Sequence, residues 1–114
     1  MKAYVLRRHG KPAVLQPTDV LVPELKHEQV RVNIECIGLN YAEIMARKGF
    51  YGWAPQMPYT LGMEAYGSIE AIGDGVSARA VGDKVIIGTQ YGCYAEKFVG
   101  HWQTTAPADR KSVV

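Results

Sequence analysis

The sequence is poor in the residues that build metal centres: two cysteines and three histidines among 114 residues. Cys36 and Cys93 stand far apart without metal-ligand spacing, which argues against both a zinc knuckle and a disulfide scaffold. Both read as small, reduced, partly buried thiols. His9, His27 and His101 sit in turn-like or polar surroundings and read as ordinary surface histidines. No apolar run approaches a membrane span, and the N-terminal Met-Lys-Ala-Tyr-Val-Leu stretch is too brief for a signal peptide. A net charge of +2 gives no reason to invoke nucleic acid or an anionic membrane. The longest basic cluster, Lys2 with Arg7 and Arg8, is not a patch. A phosphate-cradling Gly-x-Gly-x-x-Gly is missing too, since Gly73-Asp74-Gly75 lacks the third glycine and falls in a strand-to-strand turn. The expectation is a cytoplasmic protein with one domain's worth of core.

What is present has the composition of a globular domain, 47% hydrophobic and 21% charged. Residues 2–8 read as a first strand and 12–22 as a second extended stretch interrupted by Pro17. Val30, Val32, Ile34 and Cys36 alternate with Arg31, Asn33 and Glu35, the period of a half-buried strand. Asn40 and Glu43 fit the start of a capping box, and Gly49 stops the short helix that follows. Phe50, Tyr51, Trp53, Pro55, Pro58 and Tyr59 crowd a loop that must pack against something. Ala65–Ile72 reads as a strand in which Gly67 allows close backbone approach. Gly82-Asp83-Lys84 turns into Val85–Ile87, and Cys93–Val99 is a further extended segment. Many short strands, glycine turns and one brief helix predict a mainly β fold, a small, partly open barrel.

Several spaced motifs occur in order along nearly the whole chain. They are Gly38-Leu39-Asn40 after a strand, Gly49-Phe50-Tyr51, Leu61-Gly62-Met63-Glu64-Ala65-Tyr66-Gly67, Val76 with Gly82-Asp83-Lys84-Val85, and Gly92-Cys93-Tyr94-Ala95-Glu96. This pattern resembles the GroES-like catalytic domain of the medium-chain dehydrogenase/reductase superfamily. In its zinc enzymes a cysteine follows the first corner and a histidine the second. Here Asn40 and Met63 stand at those positions, and neither is a plausible zinc ligand. The four-cysteine lobe is reduced to Ile86–Tyr91. The resemblance therefore implies the zinc-free quinone oxidoreductase branch (zeta-crystallin-like and vesicle amine transport protein-like), with no metal site.

The resemblance also implies site residues and partners. Asn40 and Tyr41 would face the nicotinamide, with Asn40 also capping the helix and Tyr41 equally suited to packing. Tyr51 would donate a hydrogen bond, or a proton through water, to the substrate oxygen, or else pack beneath its loop. Met63 would line an apolar pocket, and Glu64 would accept backbone or arginine hydrogen bonds beside it. Residues 1–107 would form the GroES-like domain and 108–114 the start of a connection to a Rossmann domain that this chain lacks. A longer parent would use NADPH to reduce a quinone or α,β-unsaturated carbonyl. This piece alone would bind no NADPH, would be inactive, and would self-associate weakly through the face the second domain covers. The alternative is a non-enzymatic GroES-like binding or co-chaperonin-type module.

Overall fold

The computed structural model describes residues 1–39, 44, 47–49 and 56–108. Among the described residues there are eight strands, β1 (Lys2–Leu6), β2 (Gln16–Asp19), β3 (Gln29–Gly38), β4 (Tyr59–Thr60), β5 (Glu64–Ile72), β6 (Lys84–Gly88), β7 (Lys97–His101) and β8 (Thr105–Pro107). They form two antiparallel sheets, ordered β2-β1-β4 and β7-β3-β5-β6-β8. The sheets do not close on one another, so the fold is mainly β and the barrel partly open, as the sequence predicts. The short helix expected after Asn40 falls mostly on residues outside the described ones, as does the tail from 109.

The larger sheet buries one face, with Val30, Val32, Ala65, Ile69, Val85, Ile87 and Phe98 packed around Cys93. Each fully buried aliphatic side chain there contributes about 1.5–3 kcal/mol relative to exposure. A second cluster, Leu6, Tyr59, Leu61 and Tyr94, lies against the smaller sheet. Glycine makes the central strand pair possible. A Cβ on Gly67 would sit 2.1 Å from the Asn33 carbonyl oxygen, so only glycine lets β5 approach β3 this closely.

Two β-bulges interrupt that pair, between Arg31 and Val32 and between Ile34 and Cys36. The first leaves Glu70 as the extra residue on β5 and the second leaves Glu35 as the extra residue on β3. Past Glu35 the alternation slips, and Cys36 is exposed instead of partly buried as the even spacing predicts. Cys93 is buried. Both bulged glutamates are held by cations. Lys84 Nζ lies 2.7 Å from Glu35 Oε1, and Glu70 takes Arg31 Nε at 3.3 Å together with Lys97 Nζ.

The segment predicted as strand over Cys93–Val99 divides in two. Only Lys97–His101 is strand. The Ala95 amide donates back to the Cys93 carbonyl at 2.9 Å, a tight turn that breaks the extended run. Residues Gly92–Glu96 instead stitch the two sheets together. Tyr4 donates to the Tyr94 carbonyl, Glu96 to Lys2, and Ile34 to Glu96, while Ala3 bridges Ala95. Pro17 lies within β2, an edge strand, where its missing N–H costs nothing. In the expected 12–22 stretch, Pro12–Val14 is a short 3-10 turn instead of strand.

Candidate active-site corner

The β3–β5 register sets Gly38 opposite Glu64. Because the strands are antiparallel, the chain leaves β3 toward Asn40 at the same end of the sheet where it enters β5 through Gly62 and Met63. The two motifs that lie far apart in sequence are therefore neighbours at one sheet end. Asn40, Tyr41 and Tyr51 themselves lie outside the described residues. Met63 and Glu64 are described.

Gly62 enters the corner with φ +115°, and a Cβ there would meet the Tyr94 amide nitrogen at 2.4 Å. That backbone angle and that contact both demand glycine. Met63 follows, half-buried, its carbonyl accepting the Thr89 amide at 2.9 Å. Glu64 is exposed. Its carboxylate lies over Gly38, where a Cβ would come within 2.8 Å of Oε2. The expected backbone or arginine hydrogen bonds to Glu64 are not found among the described residues. Beyond the first corner, Arg47 and Gly10 bond reciprocally: the Gly10 amide donates to the Arg47 carbonyl at 2.8 Å, and Arg47 Nη1 donates to the Gly10 carbonyl at 3.1 Å. That pair ties the segment after the first corner to the loop following β1.

Tyr94 is the residue sequence reasoning missed. It is buried, its amide donates to the Leu61 carbonyl at 2.7 Å, and its phenol oxygen lies 3.5 Å from the Gly38 carbonyl oxygen. An apolar groove of about 320 Å³ flanks it, lined by Tyr4, Pro17, Ile34, Ile37 and Ala95. A larger open groove, about 720 Å³, runs between β4 and β7, and its lining includes Thr89, whose amide donates to Met63. We take the corner and not this groove as the site, because the paired motifs converge there. Among the described residues no three His, Cys, Asp or Glu side chains converge as a metal site would require. His101 is more than a surface residue: Nε2 lies 3.1 Å from Glu28 Oε2, and Nδ1 accepts the Gln103 amide at 3.1 Å.

Residues 26–110 match the family model of the alcohol dehydrogenase GroES-like domain. The chain belongs to this family. Within it, the similarity runs to the quinone oxidoreductase and VAT-1 branch of the medium-chain dehydrogenase/reductases. Quinone oxidoreductase of Rattus norvegicus is 39% identical over 109 residues, 94% of this chain and 33% of the relative. A synaptic vesicle membrane protein VAT-1 homolog of Danio rerio is 46% identical over 77 residues, 68% of this chain and 16% of the relative. Among solved structures, the Pseudomonas syringae quinone oxidoreductase matches with TM-score 0.90 and 34% identity, over 96% of this chain and 34% of that one. The Escherichia coli quinone oxidoreductase complexed with NADPH gives 0.91 and 26%, over 97% of this chain and 34% of that one. This GroES-like domain thus spans 33% of the rat relative's length and 16% of the zebrafish one's.

Proposed function

We propose that this domain forms the substrate-side wall of a zinc-independent oxidoreductase that reduces quinones or α,β-unsaturated carbonyls with NADPH. The carrying observation is the Gly38–Glu64 pairing, which brings Met63 beside the exit toward Asn40. Those two residues occupy the positions where zinc relatives place metal ligands, and neither coordinates zinc well. The quinone oxidoreductase relatives, one of them complexed with NADPH, support the same reading.

The dinucleotide fits this chain at one end only. The Gly73–Gly75 turn is no phosphate cradle, because Cβ positions there are filled by the Lys26 carbonyl oxygen at 2.1 Å and the His27 ring at 2.6 Å. It also lies a strand's length from the corner, about 30 Å away. A second, Rossmann-type domain of the longer protein would hold the pyrophosphate. Asn40 and Tyr41 would then meet the nicotinamide end. When bound, the cofactor supplies the hydride.

With no metal to polarise the carbonyl, the chain's own residues must orient the substrate and receive its developing charge. The Asn40 amide donates a hydrogen bond to a carbonyl oxygen. The Tyr51 phenol donates to the oxygen that becomes negative, directly or through water. The Met63 thioether offers a soft apolar wall to a flat conjugated ring. Glu64 stays structural at the edge of the pocket. A cytoplasmic location belongs to the same proposal, and no described helix is long and apolar enough to cross a membrane.

NADPH fluorescence titration and a quinone turnover assay test this on the 114-residue chain and on the full-length protein. We expect both activities in the full-length protein alone, since one wall forfeits a proximity advantage of as much as about 7–11 kcal/mol. Micromolar NADPH binding or turnover by the short chain would refute the two-wall arrangement. In the full-length protein, Tyr51→Phe separates its two roles: a loss beyond about tenfold marks a proton or hydrogen-bond donor, a smaller loss marks packing.

A further inference from the structure

We propose that Tyr94 is a positioning residue, a spacer that fixes the separation of the two corners on which the site is built. The inference rests on the reading of that corner as a reaction site. Tyr94 meets both corners at once. On one side its amide donates to Leu61 at 2.7 Å, and its amide nitrogen and Cδ1 would lie 2.4 and 2.6 Å from a Cβ on Gly62, one residue before Met63. On the other side its phenol oxygen lies 3.5 Å from the carbonyl oxygen of Gly38, the residue that leads into the Asn40 corner. A third contact anchors it: its carbonyl accepts the Tyr4 amide of β1 at 2.8 Å. The ring is therefore held by the smaller sheet and wedged beneath both corners of the larger one.

The geometry also says which part of the side chain does this. At 3.5 Å the phenol contact is at the outer limit of a hydrogen bond and contributes little. The contacts at Gly62 are made by the backbone and the ring edge, and Tyr94 is only 9% exposed. The ring edge, then, sets where Gly62-Met63 sits, and the hydroxyl is the part that reaches Gly38. Phenylalanine keeps the first support and gives up the second, whereas an aliphatic side chain gives up both and lets Gly62-Met63 settle toward the smaller sheet. Misplacement of the Met63 wall by a fraction of an ångström alters how the substrate lies, not how the pyrophosphate is held. A core aromatic with no positioning role would lower stability alone.

Two measurements test this. In the full-length protein, Tyr94→Leu should lower quinone kcat by about tenfold or more at temperatures well below its melting point. NADPH affinity should stay within about threefold, and Tyr94→Phe, which keeps the ring edge against Gly62, should retain more turnover than Tyr94→Leu. A folded Tyr94→Leu protein with turnover within about twofold of wild type would overturn the proposal. In the 114-residue chain, Tyr94→Leu should shift the amide resonances of both Leu39–Asn40 and Gly62–Glu64. Shifts confined to one corner would overturn it as well. If the wild-type full-length protein reduces no quinone or enone, the proposed function fails, and the amide measurement alone decides whether Tyr94 couples the corners.

Discussion

Adding one methyl group at Gly67 should destabilise the domain more than its size suggests. The new Cβ would lie 2.1 Å from the Asn33 carbonyl oxygen, 2.9 Å from the Asn33 carbonyl carbon and 3.0 Å from Val32 Cγ1. Two of those atoms are β3 backbone, so no rotamer change relieves the overlap. The strands must separate by more than about 1 Å in an interior packed as densely as a crystal. Backbone entropy alone favours alanine by about 0.4–1 kcal/mol, whereas overpacking costs about 1–3 kcal/mol or more. Because backbone must move, we expect Gly67→Ala to lose about 2 kcal/mol net. Gly88→Ala is the matched control, for nothing lies within 4 Å of its Cβ position. It should be neutral or stabilising by up to about 1 kcal/mol. Urea unfolding followed by tryptophan fluorescence reads both, with Trp102 packed against the core as reporter. Equal midpoints for the two variants would refute the close β3–β5 approach that brings the corners together.

Glu70 gives a pH-dependent prediction. The Lys97 hydrogen bond, helped by Arg31, holds its carboxyl below the usual 4.5. A lowered folded value contributes stability that is full above the unfolded value and lost as pH falls through the folded one. Glu70→Gln should therefore cost about 1–2 kcal/mol near neutrality, with the difference from wild type shrinking in acid. A difference in melting temperature that does not shrink as the pH falls through and below the ordinary carboxylate range would contradict it. Thiol labelling gives another. Cys36 should react in the native chain and Cys93, at 0% exposure, only after unfolding. A slow Cys36 in the native protein would contradict the bulge at Glu35, and a fast Cys93 would contradict its place in the core.

The sequence made the β3 and β5 strands legible because their faces alternate and their glycines have backbone reasons. Gly67 was readable as a close approach, and it is one. The bulges were not readable. Glu35 and Glu70 look like ordinary outward positions, and only pairing with a distant strand shows that each is the extra residue. Cys36 was misplaced for that reason. Cys93–Glu96 reads as part of an extended segment because its partners on β1, β3 and the Leu61 turn lie far away in sequence. Strand β8 was missed for the same cause: Ala106 and Pro107 are exposed, and its pairing with Ile86 and Val85 is long-range. At the candidate site, motif spacing points to Met63 and Glu64, and the β3–β5 register sets Glu64 opposite Gly38 at one sheet end. It could not single out Tyr94, whose importance comes from touching two turns that meet only in three dimensions.

The most direct test of a zinc-independent NADPH-linked reductase is turnover by the full-length protein after exhaustive chelation, with metal content measured on the same sample. The expected result is NADPH oxidation by a quinone at an undiminished rate with far less than one zinc per chain. Activity that falls with chelation and returns on adding zinc would contradict it, as would a zinc-free, folded protein that oxidises NADPH with neither a quinone nor an enone.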